Sequence, residues 1–156
     1  METRWLNGRE QRAWGAFLDL WRGLAAGMER QLAGSGVSGA DYQVLAPLAG
    51  SRDEPVRPRD LVAATGWDRS RLAHQLRRME QRGLIERENH PHDARGTLVR
   101  LTDSGRDALR RAAPGHVEWV RAHFLGLLTP DELETITAVA ERVVARLDPP
   151  SRPGAG

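Results

Sequence analysis

The chain has 156 residues, 40% of them apolar, a formal net charge of +2 and no cysteine. That length fits one compact domain, or two small fused lobes. The missing thiols exclude disulfides, a cysteine nucleophile, a thiol redox switch and cysteine-ligated zinc. No apolar run approaches the roughly 20 residues that a spanning helix needs. The N-terminus has no apolar signal core, so a soluble, cytoplasmic protein with no membrane partner is expected.

Every basic residue other than histidine is an arginine. The average charge hides a local excess, because residues 57–100 hold ten arginines against six acids. Arginine forks onto phosphates and guanine edges better than lysine does, so this excess bears on partner choice.

Residues Trp14, Phe17, Leu18, Trp21, Leu24, Met28 and Leu32 recur at steps of three and four, which predicts one amphipathic helix over about 8–33. Gly34-Ser35-Gly36 ends it. Ser38 with Asp41 three residues later is a capping signal for a second helix, with Tyr42, Leu45 and Leu48 or Ala49 on its apolar side. Pro47 is expected to kink or shorten that helix. A polar loop through Asp53-Glu54-Pro55 leads to Pro58, a favourable first position for a third helix that stops at Gly66.

Asp68 can cap a fourth helix over about 69–82, terminated by Gly83. Leu84-Ile85 and Leu98-Val99 predict two short strands, with Asn89–Gly96 as a flexible loop between them. Thr102 can cap a fifth helix carrying Leu109, Val117, Val120, Phe124 and Leu128. Ala113-Pro114-Gly115 is expected to kink or break it. Thr129-Pro130-Asp131-Glu132 opens a last helix, Leu133 to Leu147, which ends at Pro149-Pro150.

Helix, turn, helix and hairpin in that order make a winged helix-turn-helix. The fold expected is mainly α with a small β-hairpin wing, flanked by N- and C-terminal dimerisation helices. One domain spans 1–148, with 1–36 and 103–148 for dimerisation and 38–102 as the DNA-binding lobe. Residues 149–156 are expected to be a disordered tail.

On the fourth helix, Leu72, Leu76 and Met79 share one side, which would pack inward. Ser70, His74, Arg77, Arg78 and Gln81 share the other, flanked by Arg71 and Ala73. Five arginines between positions 69 and 82 face one acid, Glu80. A recognition helix inserts its N-terminal end deepest into the major groove. Arg69, Ser70, Arg71 and His74 are therefore candidates to read base edges, as is Gln75 if it turns outward. Arg77 and Arg78 are candidates to hold phosphate.

The segment resembles the MarR family of bacterial transcriptional regulators. The resemblance rests on Leu61-Val62-Ala63, Ser70-Arg71-Leu72, Met79-Glu80-Gln81-Arg82-Gly83-Leu84-Ile85, Asp93-Ala94-Arg95-Gly96 and Val99-Arg100-Leu101-Thr102-Asp103-Ser104-Gly105. It implies that the wing arginine, Arg95, enters the minor groove with Asp93 helping to hold it. It implies a dimer clasped by the terminal helices, and often a small aromatic or phenolic effector between the DNA lobe and the dimer lobe. Trp14, Trp21, Tyr42 and His116 are candidates to line that crevice. The chain departs from the family at Arg57-Pro58, where relatives usually place a small polar cap, and at Pro47.

The partners expected are double-stranded DNA, a second copy of the chain and a small-molecule effector. The function expected is a sequence-specific regulator, a repressor released by its ligand. A protein-interaction module meeting an acidic partner and a ligand-sequestering protein are the alternatives. His90-x-His92-Asp93 resembles a metal-site fragment but has no fourth ligand nearby, so no metal and no cofactor is expected. No serine nucleophile or carboxylate pair stands out, so no enzyme is expected.

Overall fold

The computed structural model describes residues 3–51, 54–90 and 93–147, and of these all side chains except those at 90 and 93–95. The elements are α1 (Gly8–Ala33), α2 (Gly39–Gly50), α3 (Pro58–Thr65), α4 (Arg69–Gln81), β1 (Ile85–His90), β2 (Asp93–Leu101), α5 (Asp103–His123) and α6 (Pro130–Leu147), with a 3-10 turn at Leu125–Leu127. The expected tail, 149–156, lies outside the described residues. The chain falls into two compact units, 1–117 and 118–156.

Each helix starts where local chemistry satisfies its orphan N–H groups. Ser38 accepts from the Asp41 N–H and the Asp41 carboxylate accepts from the Ser38 N–H, closing the expected capping box on α2. Asn7 and Glu10 close another on α1. Asp68 caps α4 by accepting from Arg71 N–H at 2.8 Å. The stop after α4 is a Schellman turn. Gly83 has φ +71 and donates to the Glu80 carbonyl, and Leu84 donates to the Met79 carbonyl.

The hairpin corrects one expectation. β1 and β2 pair antiparallel from Ile85↔Leu101 to His90↔Asp93, with an irregularity at Asn89/His90. Strand therefore fills most of the segment expected as the loop Asn89–Gly96. A two-stranded ribbon exposed on both faces needs backbone pairing, not apolar alternation, so its polar stretch carried no strand signal. The root of the ribbon gains a third partner, because Val56 and Val99 exchange both backbone hydrogen bonds at 2.8 Å.

The prolines break neither helix. α5 continues as one helix through Pro114, and α2 through Pro47. A proline removes one helical hydrogen bond, and packing can offset that loss. Ala108 and Ala112 are buried in the turns before Pro114, and Leu45 and Leu48 bracket Pro47 in the core. α5 stops at His123, so Phe124 and Leu128 do not extend its apolar side.

The core of the first unit gathers Leu32, Leu45, Leu61, Leu72, Met79 and Val99, drawn from α1 to α4 and the hairpin. α1 contributes little to it. Only Gly27 and Leu32 of that helix are buried, whereas Trp14, Phe17, Leu20 and Trp21 stand exposed. In the second unit α6 buries no residue and exposes Ile136, Val139, Val143, Val144 and Leu147.

Candidate nucleic-acid interface

Three apolar contacts set which way α4 faces. Leu72, Leu76 and Met79 are buried, and this turns Arg69, Ser70, Arg71, His74, Arg77 and Arg78 to solvent together. The row extends over nearly three turns and carries four guanidinium groups. Glu80 does not neutralise it, because its carboxylate is taken by Arg87 of β1 at 2.9 Å. That ion pair also ties the hairpin to α4.

Gln75 departs from its expected role. It is 8% exposed, and its amide donates to the buried Asp41 carboxylate at 2.7 Å. It faces the protein interior and cannot reach a base. Arg82 is likewise engaged inward, donating to Asp41 at 2.7 Å and to the Gly36 carbonyl at 3.0 Å. Arg71 lies over the Trp67 ring, 4.3 Å from its centroid, which restrains its side chain at the N-terminal end of the helix.

Asp93 and Arg95 lie on β2, and their side chains are outside the described part of the structure. His92 is outside it as well. Among the described residues no cluster of three metal-ligating side chains occurs.

The sequence did not single out Arg87. Together with Arg59 and Arg69 it rims an open cavity of about 280 Å³ between α3, α4 and the hairpin, floored by Val62, Leu72 and Leu76. A lone arginine on a strand offers no helical face against which to recognise it; only the hairpin's register brings it beside α4.

The four residues expected to line an effector crevice do not come together. Trp14 and Trp21 are 55% and 63% exposed on α1. Tyr42 and His116 do meet, with ring centroids 4.4 Å apart. Burial raises the Tyr42 phenol above its ordinary pKa and lowers the His116 imidazole below its own. His116 Nδ1 and Gln31 Oε1 are both buried without a hydrogen-bond partner. A Cβ added at Gly115, next to His116, would lie 3.1 Å from Gln31 Nε2.

No helix among the described residues is long and apolar enough to cross a membrane. A family model described as MarR family matches residues 35–96. AbsC, a MarR family transcriptional regulator from Streptomyces coelicolor, is 39% identical, with a TM-score of 0.89 over 93% of this chain and 98% of that one. Sco3205, a MarR family transcriptional regulator from the same organism solved in complex with DNA, is 35% identical, with a TM-score of 0.91 over 96% of this chain and 94% of that one. The transcriptional regulator HosA of Escherichia coli O111:H- is 34% identical over 104 residues, 66% of this chain and 74% of HosA.

Proposed function

The chain belongs to the MarR family of winged-helix, DNA-binding transcriptional regulators, and on that premise we propose that it is a cytoplasmic homodimeric repressor that reads a pseudo-palindromic site and is released by a small aromatic or phenolic ligand. The observation that carries the DNA reading is the exposed row on α4. Four arginines, one serine and one histidine point away from the core, next to a hairpin fixed to the same helix by Arg87–Glu80. Arg69, Ser70, Arg71 and His74 lie at the end that enters a major groove deepest, and Arg77 and Arg78 lie where phosphates pass. Asp93 and Arg95 keep the minor-groove role that the family resemblance implies.

A second copy of the chain accounts for α1. An apolar row of Trp14, Phe17, Leu20 and Trp21 in water is a large surface without a cover. A twofold partner would cover it and set two recognition helices about one DNA turn apart. Trp14 and Trp21 thereby move from the effector crevice to the dimer surface.

Tyr42 and His116 remain the effector candidates. Their rings, tilted 50° to one another, together with the unpaired His116 Nδ1 and Gln31 Oε1, suit a flat ring bearing a hydroxyl or carboxyl group. Selection of bound duplexes from random DNA tests the whole reading. A palindromic motif whose binding weakens steeply with salt is expected. Binding without sequence preference would point to the protein-interaction alternative, and phenolic-ligand binding with no effect on DNA to the sequestering one.

A further inference from the structure

The Asp41 carboxylate is fully buried, and it joins the N-terminus of α2 to α4. Oδ2 accepts from the Ser38 N–H at 2.9 Å and from Arg82 Nη1 at 2.7 Å, while Oδ1 accepts from Gln75 Nε2 at 2.7 Å. Arg82 continues to the Gly36 carbonyl, in the left-handed turn between α1 and α2. The Gly39 N–H at the start of α2 donates to the Glu29 carboxylate of α1 at 2.9 Å. A line of directional bonds thus runs from α1 through the N-terminus of α2 to the recognition helix.

We propose that Asp41 is a positioning residue for base recognition: by gripping Gln75 and Arg82 together it fixes the rotation of α4 about its own axis. This rests on the reading of α4 as a DNA-recognition helix. The two residues are seven apart, which returns them to nearly the same face and separates them by about 10 Å along the axis. One carboxylate therefore holds two points, two turns apart. The apolar contacts of Leu72, Leu76 and Met79 are non-directional and tolerate rolling, whereas the hydrogen bonds do not.

A roll of about 20° at a helix radius of about 5–6 Å moves outward side chains by about 2 Å. That shift breaks a hydrogen bond to a base edge, which holds only over a few tenths of an ångström. It barely changes the attraction of a guanidinium to a phosphate, which falls off slowly with distance. The grip on Gln75 and Arg82 thus serves sequence discrimination far more than affinity for DNA as such.

The test uses the full chain, a duplex selected by the wild type from random DNA, and a scrambled duplex of the same composition. Gln75→Leu removes one bond and keeps the bulk; Arg82→Gln removes the other; Asp41→Asn weakens the joint itself. Each variant is first checked for a cooperative thermal transition. Because Asp41 is buried, the two α4 variants decide the matter if Asp41→Asn fails to fold.

The preference for the selected duplex should fall by about tenfold. Binding to the scrambled duplex should stay within about twofold, and the salt dependence of both should keep its slope. An unchanged preference in both folded variants would overturn the inference, as would equal losses on both duplexes. A reduced salt slope in Arg82→Gln would also overturn it, since Arg82 would then be a phosphate contact. A wild type with no preference between duplexes would instead overturn the reading of α4 on which the inference stands.

Discussion

The guanidinium of Arg71 rests on the face of Trp67, 4.3 Å from the ring centroid, and Trp67 itself is buried in the core just before α4. The contact joins the turn of the helix-turn-helix to α4 and holds one exposed arginine ahead of any encounter with DNA. Replacing Trp67 by leucine keeps an apolar plug but removes the aromatic face. Affinity for the selected duplex should fall by about 0.5–1 kcal/mol. In a double-mutant cycle the same change in an Arg71→Ala background should have almost no further effect on binding. Full additivity would show that the stack plays no part.

Arg71 and Arg77 share the outer face of α4 but should fail differently. Arg71→Ala should relax base preference at one position, at a cost of about 1–3 kcal/mol for the preferred base. Arg77→Ala should weaken binding to all duplexes alike and reduce the salt slope by about 1. Quantitative selection and salt titrations of both variants separate the roles, and matching profiles would contradict the division.

Arg95 lies on β2 close to the turn of the hairpin. Arg95→Ala should cost about 1–3 kcal/mol of binding in a mobility-shift titration. No loss would remove the wing from the interface.

The sequence carried the helical framework well and the inward-facing polar contacts poorly. Ser38–Asp41, Asp68 and Thr102 declared their helix starts, because capping depends on residues three apart in the chain. The exposed face of α4 was equally readable from its period. Gln75 was not, because its partner Asp41 lies 34 positions away and no local pattern links them. Trp14 and Trp21 lie on the helix expected and stand exposed there, since periodicity shows that a face is apolar and not what covers it. The strands were underestimated because the ribbon pairs through backbone groups that every residue has.

The Leu101-Thr102-x-x-Gly105 motif was recognised as a family resemblance, and the structure supplies its physics. Thr102 accepts from the Gly105 N–H and donates to the Gly83 carbonyl at 2.6 Å, joining the end of α4 to the start of α5. A Cβ on Gly105 would run into the backbone carbonyl of Leu84, which cannot move aside as a flexible side chain would. Gly105→Ala should therefore destabilise the fold by about 1–3 kcal/mol in denaturant unfolding. A neutral result would mean that the start of α5 shifts at no cost.

Stability should also depend on pH through His116. Burial lowers its imidazole below the ordinary value, so the folded state favours the neutral ring. Above the unfolded pKa of about 6.5 both states are neutral and the full stability is present. As pH falls below that point the unfolded chain takes up the proton first, so stability declines until the folded pKa is passed. His116→Gln should flatten this part of the stability–pH curve, measured by thermal melts between mildly acidic and neutral buffers. An unchanged slope would place the titrating group elsewhere.

The uncovered apolar row of α1 would tie the fold to mass action through any partner that covers it. Whatever surface seats on Trp14, Phe17, Leu20 and Trp21 binds the folded chain and not the unfolded one. Its binding free energy then adds to the folding equilibrium, about 2.7 kcal/mol when the covering species stands at a hundred times its dissociation constant. Such a partner would make the melting temperature depend on its own concentration. If the cover is another copy of the chain, dilution alone should lower the melting temperature with no change of buffer.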